Sequence, residues 1–370
     1  MASNTQYYHA HISSLIDLYL VINTLATISR EASHDNRLII YQSEQISSRA
    51  SLRRIINRIE VLSTSIDIEF IIVPSNFLKR LWFFATEIIK ILRRTRRCYI
   101  YSHGIYGNIW SNLLFLVHPS ESLITYGDGW GVFYDRALFF ERYVIKKANR
   151  FNTVFLLLFK KLFIGVTEPS RFVRAIYNEA GDPVPANTTL IESNLAGVKN
   201  VLSAFRAEYI SEQTHIKAYK KVDALLILGN FSESRLCTVE NEIALYKEAL
   251  TRLNVFQHSV LIKFHPASNA SKNQKILAFL NDECVTPPQV IDCHKVPIEF
   301  LVPDDRKYDV YSFSFSAISL ALLFKVQSHY ALEKGDILDK FDKRFISYGI
   351  TSHVGYHASV RYYNENNNNF

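Results

Sequence analysis

At 370 residues, with 48% hydrophobic and 21% charged residues, the chain has the length for two cores and the make-up of a globular protein, which excludes a disordered or fibrous one. Its 42 Lys and Arg against 35 Asp and Glu leave a net charge of +7, which favours an anionic partner such as a phosphate, a carboxylated sugar or an acidic lipid. Only 12 glycines occur, in neither a G-x-G-x-x-G nor a P-loop pattern, so the familiar dinucleotide and triphosphate fingerprints are excluded.

The apolar run 18–23 predicts a first buried strand, and 25–32 the helix after it. Residues 37–41 predict a second strand, followed by a basic helix reaching about 59, and 66–73 a third strand stopped by Pro74. A long helix is expected over 76–94, with Trp82, Phe83, Ile88, Ile89 and Leu92 supplying its buried stripe. Residues 98–101 predict a fourth strand that runs into the polar turn Ser102-His103-Gly104. A helix over 106–117 and a fifth strand over 122–126 follow. Residues 133–164 read as helical, aromatic and basic, and 167–222 as short strands and turns that close the first half.

A second series then begins with strand 224–228, the turn at Gly229 and Asn230, helix 238–253, strand 260–264 and helix 274–281. Strand 290–291, a short helix begun by Pro297, strand 308–311, helix 317–324 and strand 326–330 complete it. Strands and helices alternating at this spacing imply parallel sheets. The expected fold is α/β and GT-B-like, with two Rossmann-like parallel-sheet domains facing a central cleft, although other tandem Rossmann-like folds share the pattern. The expected limits are 1–215 and 216–330 for the two domains. Helices over 331–363 would pack back on the first domain, and 364–370 would be a disordered polar tail.

Cys98, Cys237, Cys284 and Cys293 lack C-x-x-C spacing and read as reduced thiols, without disulfides or zinc. No signal-peptide pattern opens the chain, and the most apolar stretch, 151–165, is short and broken by Lys160 and Lys161. The expectation is a cytoplasmic protein that is not integral to a membrane.

Ligands of open α/β sheets bind beyond the carboxyl ends of the strands, and three turns at predicted strand ends carry suitable chemistry. In Gly127-Asp128-Gly129, the glycines let the backbone approach a ligand and the carboxylate could act as a general base; an ordinary D-G turn is the plain alternative. Lys263 and His265 alternate at the end of the apolar run 260–262, so both face one side of an extended chain before Pro266 stops it. A strand-end His that only caps local hydrogen bonds is the alternative there. Ser312, Ser314 and Ser316 open an apolar helix, where hydroxyls and free N–H groups either seat a phosphate or simply cap the helix.

In this order the three turns resemble the acidic D/E-D/E-G, H-P and serine motifs of the bacterial GT-B sialyltransferases, including the lipooligosaccharide sialyltransferases and capsule polysialyltransferases. The chain departs from that pattern at Gly127, where a first acid is usual, and at Phe313 and Phe315 between the serines. The resemblance implies an inverting transfer of sialic acid from CMP-sialic acid to a glycan acceptor in surface polysaccharide synthesis. It implies Asp128 as the base on the acceptor-side domain and His265 as the group that stabilises the CMP phosphate, with a further role as its acid left open. Ser314 or Ser316 would bond the same phosphate. Lys263, Pro266, Gly229, Asn230 and Glu299 would contact the nucleotide, Glu299 at the ribose, and His103 and Gly129 would lie on the acceptor side. On charge grounds alone, Glu299 reads equally well as a surface helix-start residue.

No metal or other cofactor is expected, since His, Ser and helix N–H groups can offset the charge of a single phosphate. A CDP-glycerol or other polyol-phosphate transferase and a CMP-Kdo transferase are alternatives of the same architecture. A degenerate domain that binds an anionic glycan is the non-enzymatic one, favoured by Gly127 and opposed by Asp128 and His265. The basic stretches 79–97 and 142–161 mix cations with bulky apolar residues. A solvated face explains them, as does peripheral contact with an anionic membrane at the inner face of the cytoplasmic membrane. No nucleic-acid recognition module occurs.

Overall fold

The computed structural model describes residues 5–29, 36–42, 46–59, 62, 66–102, 113–114, 117–127, 170–174, 184, 188–210, 222–233, 236–292, 295–302, 308–314, 316–333, 336 and 339–341. The chain divides into two compact units, Met1–Tyr209 and Ile210–Phe370.

The first unit is built on a seven-stranded sheet in the order β3-β2-β1-β4-β5-β6-β7. Its strands are β1 (Gln6–Ile12), β2 (Asn36–Gln42), β3 (Ile66–Ile72), β4 (Arg97–Ser102), β5 (Leu123–Tyr126), β6 (Arg171–Arg174) and β7 (Thr189–Glu192). Every ladder is parallel. The helices are α1 (Leu15–Ile28), α2 (Arg49–Asn57), α3 (Phe77–Leu92) and α4 (Leu195–Tyr209).

Three expectations change here. Residues 18–23 lie inside α1, whose positions from Leu18 to Leu25 are all buried. A helix buried around its whole girth shows no 3.6-residue contrast, so its apolar run passes for a buried strand. The deciding feature is Ser14, whose side chain accepts from the Asp17 N–H and starts the helix. The true first strand is β1, in which His9 and His11 are buried among tyrosines. The third change is α4, a helix in a stretch expected to hold only strands and turns; Val198, Val201, Leu202 and Phe205 form its buried side.

The second unit holds a parallel five-stranded sheet in the order β10-β9-β8-β11-β12. The strands are β8 (Ala224–Ile227), β9 (Val260–Lys263), β10 (Gln289–Val290), β11 (Asp309–Ser312) and β12 (Ser328–Tyr330). The helices are α5 (Val239–Arg252), α6 (Ala270–Glu283), α7 (Ile298–Leu301) and α8 (Ser316–Phe324). Its strands are short apolar runs, as a parallel sheet covered on both faces requires, and Leu225, Ile227, Leu261, Val310 and Leu320 meet in one core. Residues after β12 join the same unit: Arg252 pairs with Glu333 and Asp336, and the Phe341 ring packs, tilted by 52°, at 5.2 Å from the Phe231 ring.

Each sheet changes direction once. Strand order reverses between β1 and β4 in the first and between β8 and β11 in the second. Such a switch point leaves a crevice at the carboxyl ends of the two strands, where ligands of α/β sheets bind.

Candidate active site

At the second switch point, register fixes what stands side by side. Ile227, the last residue of β8, pairs with Lys263 on β9 and with Ser312 on β11. Directly paired residues share a face of the sheet, so Lys263, Ile227 and Ser312 form one row across three adjacent strands, about 10 Å from end to end. Two residues further along each chain come His265, Gly229 and Ser314. The structure thus brings the H-P motif and the serine turn to one edge, on either side of β8.

His265 is half-buried, and its Nδ1 accepts a hydrogen bond from the Ala267 N–H at 3.1 Å. That bond fixes the neutral tautomer with the proton on Nε2, since a ring nitrogen that accepts carries no hydrogen. Burial first, then the positive charges of Lys263 and Lys272, push its pKa down to about 4. The His265 carbonyl accepts from the Ser268 N–H at 2.9 Å, closing the turn around the exposed Pro266. His265 therefore presents a neutral Nε2–H donor, for which the described residues supply no acceptor.

The serine turn is held from within. The buried Ser312 hydroxyl donates to the Ser314 carbonyl at 2.9 Å and accepts from the Ser314 N–H at 3.1 Å. Ser314 Oγ lies 3.1 Å from Ser312 Oγ and accepts from the Ser316 N–H at 3.3 Å. The Ser316 hydroxyl forms no hydrogen bond among the described residues. Phe313 is a buried anchor, its N–H on the Ile227 carbonyl at 2.9 Å and its ring 4.5 Å from Tyr246. Glu299, expected as either a ribose ligand or a surface residue, is only 2% exposed on α7. Ser319 of α8 donates to its Oε1 at 2.6 Å, which excludes the surface reading.

Beneath this edge lies a charged cluster that the sequence reading missed. Lys272, on the first turn of α6 and 2% exposed, donates to Glu233 at 2.6 Å and to Glu242 at 2.8 Å. Glu242 also accepts from the N–H groups of Phe231 and Ser232, at 3.2 and 2.8 Å, and from the Tyr246 hydroxyl at 2.6 Å. Burial alone would raise the pKa of Glu233; the bonds from Lys272 and the Asn269 N–H outweigh it and hold the pKa below the usual carboxylate range. Burial and the Glu242 charge push the Tyr246 phenol well up.

This cluster determines what the turn after β8 can offer. The Gly229 N–H is spent on Tyr246 at 3.1 Å, and a Cβ at Gly229 would meet the Phe231 ring at 2.8 Å. The glycine is needed for that packing, and half-buried Asn230 follows it. In a phosphate-binding βα turn these backbone donors would face the ligand. Here the protein's own Glu242 carboxylate takes two of them.

In the first unit, β4 ends at Ser102 and β5 at Tyr126, and these two residues pair in register. His103, Asp128 and Gly129 follow those ends in sequence but lie outside the described residues. Gly127 is described and buried. At the end of β1, Ser13 bonds Asp17 through its N–H at 3.0 Å and its hydroxyl at 2.7 Å, closing the first turn of α1. Among the described residues, no group of three His, Cys, Asp or Glu side chains could hold a metal ion.

Two consecutive parallel sheets, the second with a His-Pro turn and a serine turn at its switch point, define an α/β protein of the GT-B-like class. The family model for alpha-2,8-polysialyltransferases matches residues 4–329. The chain belongs to that family, and it is a glycosyltransferase of the sialyltransferase class. No curated protein matches it closely enough to count as a relative.

Similar solved structures include the UDP-GlcNAc 2-epimerase of Methanocaldococcus jannaschii, at 12% identity and TM-score 0.49, covering 87% of this chain and 83% of that one. The UDP-GlcNAc 2-epimerase of Neisseria meningitidis, solved with UDP-GlcNAc, is 12% identical with TM-score 0.43 over 84% and 78%. A 2,6-sialyltransferase from a Photobacterium species, solved with CMP and lactose, is 11% identical with TM-score 0.44 over 87% and 71%.

Proposed function

We propose that the chain is an inverting sialyltransferase, using CMP-sialic acid as donor and a glycan of bacterial surface polysaccharide, capsule or lipooligosaccharide, as acceptor. The observation that carries this reading is the row Lys263–Ile227–Ser312 at the β8/β11 switch point, with His265 and the serine turn just beyond it. Lys263, buried at the end of β9, supplies positive charge beneath the edge, the His265 Nε2–H a neutral donor and Ser316 an unengaged hydroxyl, three groups suited to one phosphate. Glu242 has taken the N–H groups of Phe231 and Ser232, so these side chains, rather than that turn, receive the anion.

The reaction is a single displacement. An acceptor hydroxyl oxygen bonds to the anomeric carbon of the sialyl group as the bond from that carbon to the CMP phosphate oxygen breaks. The acceptor proton passes to Asp128, and the electron pair of the broken bond stays on the phosphate. Glycosyl transfers of this kind pass through an oxocarbenium-like state, and fixed donors at the departing phosphate lower the barrier by stabilising charge as it develops.

His265 acts here as a hydrogen-bond donor and not as an acid. A second ring proton would have to displace the Ala267 N–H from Nδ1, and the ring is neutral at pH 7. Glu299, oriented by Ser319, serves the ribose hydroxyls, while Pro266 shapes the turn and Asn230 lines the nucleotide side. His103 and Gly129 belong with Asp128 at the acceptor. The chemistry proceeds without a metal ion.

Thermal denaturation with nucleotides tests the assignment, because a ligand that binds only the folded state raises the melting temperature. CMP should raise it, with or without EDTA. A larger rise with CDP or UDP, or one that needs a divalent ion, contradicts the proposal.

A further inference from the structure

The turn between β8 and α5 is where a parallel α/β sheet seats the phosphates of a nucleoside diphosphate, on backbone N–H groups beyond the strand end. In this protein that turn is closed from within. Three of its N–H groups, on Gly229, Phe231 and Ser232, are held by side chains of α5. Glu242 accepts from Phe231 at 3.2 Å and from Ser232 at 2.8 Å. The Tyr246 hydroxyl accepts from Gly229 at 3.1 Å and donates to Glu242 at 2.6 Å. Side chains on a helix lean toward its amino end, so Glu242 and Tyr246, four residues apart on α5, reach back into the turn that precedes them.

The Glu242 carboxylate stands in for an anion. It is fully buried, and Lys272 of α6 anchors it at 2.8 Å. A second phosphate brought to this turn would have to break the two backbone bonds that Glu242 makes, and would then lie beside a carboxylate. Like charges set together across a binding surface exclude the wrong partner. Lys272 does not offset the repulsion, because it is shared between Glu233 and Glu242 and so leaves the cluster with one more acid than base. The His265 Nε2–H and the Ser316 hydroxyl lie outside this arrangement and remain open to one phosphate.

We propose that Glu242 is a specificity-determining residue: with Tyr246 it closes the β8–α5 turn, so that the edge accepts a nucleoside monophosphate and rejects a nucleoside diphosphate. The inference rests on the reading of this edge as the seat of the CMP phosphate. It adds that free CDP, although it carries the same base and ribose, competes poorly with a CMP-linked donor.

Calorimetric titration of CMP and of CDP into wild type, Glu242→Gln and Glu242→Ala tests it. Wild type should bind CMP at least about tenfold more tightly than CDP, the scale of a hydrogen bond to a charged group. Glu242→Gln keeps the shape of the side chain and removes its charge, and should narrow that ratio severalfold. Glu242→Ala also releases the Phe231 and Ser232 N–H groups, and should bring the ratio to about one or reverse it. Lys272 keeps its bond to Glu233 in both variants, and melting temperatures check that each folds; Glu242→Gln alone decides the matter if the alanine variant does not.

A role confined to stability would weaken both nucleotides together. An unchanged CMP-to-CDP ratio in Glu242→Gln therefore overturns the inference, as does wild type that binds CDP as tightly as CMP. Wild type that binds neither nucleotide overturns it by removing the phosphate seat itself. That failure is distinct, since in the other two cases wild type still binds CMP.

Discussion

The two units bury polar groups in opposite ways. In the second unit, Lys272 is sealed between Glu233 and Glu242 under the candidate site, a cluster of full charges. In the first, toward the amino ends of β4 and β5, the buried polar cluster is a chain of neutral rings. Arg94, which can only donate, contacts His9 Nε2 at 2.6 Å, so the His9 proton sits on Nδ1. That proton faces the Cys98 carbonyl at 3.3 Å and His118 Nε2 at 3.0 Å, while His118 Nδ1–H donates to the Leu114 carbonyl at 2.6 Å. Every ring nitrogen is used, and neither ring can take another proton without meeting a donor. The ionic cluster should thus fail on losing a partner, and the neutral chain on gaining a proton.

The sharpest functional difference between the units is in turnover. If the first unit supplies the base and the second only holds the phosphate, Asp128→Asn should lower turnover by about two to four orders of magnitude, the range for general-base catalysis. A fully active Asp128→Asn enzyme would remove that division.

Next in size is the ionic cluster. Lys272→Met leaves two carboxylates without their cation and should cost about 3–5 kcal/mol of stability, as breaking a buried pair does. Urea denaturation measures it, and the combination with Glu242→Gln should lose less than the separate losses added together. A loss under about 1 kcal/mol would mean that water already reaches the cluster.

Acid tests the neutral chain. Burial, the neighbouring ring and Arg94 hold His9 well below its ordinary pKa, and burial and the nearby arginines bring His118 to about 4. Burial likewise brings His11 to about 4. A depressed histidine leaves stability intact above its ordinary value of about 6.5 and removes it as pH falls toward the folded value. Stability should therefore fall between pH 6.5 and about 4, by on the order of 3 kcal/mol each for His11 and His118, with His265 of the second unit, also brought to about 4, adding to the loss in the same window. A urea midpoint that stays flat over that window contradicts the tautomer assignment.

A smaller effect is expected at α8. Ser319→Ala strips a buried carboxylate of a donor and should cost about 1–3 kcal/mol. CMP affinity should weaken only severalfold if Glu299 holds the ribose. Unchanged affinity would separate Glu299 from the nucleotide.

Much of the second unit was legible in the sequence because its strands are brief apolar runs between turn residues, as at Ala224–Ile227 and Val260–Lys263. The candidate residues at its edge were legible for the same reason, since each stands directly after such a run. The first unit was misread where burial erases periodicity, in α1, and where a strand carries histidines, in β1. On α3 two stripes are apolar, and only the position of the sheet decides that Phe84 and Ile91 are covered while Trp82 and Ile89 are exposed. The ionic cluster left no sequence trace: Lys272 and Glu242 stand 30 positions apart and meet only once β8, β9 and their helices have assembled. Ser319, one turn into an apolar helix, was likewise invisible as the partner of Glu299.

The central claim is that the carboxyl edge of the second sheet seats the CMP phosphate through His265. Calorimetric titration of CMP into wild type, His265→Ala and Asp128→Asn tests it most directly. His265→Ala removes a donor to the phosphate and should weaken CMP binding by about tenfold or more, the scale of a hydrogen bond to a charged group. Asp128→Asn should leave CMP binding as in wild type. Equal CMP affinity in wild type and His265→Ala, or loss of CMP binding in Asp128→Asn alone, would contradict the account.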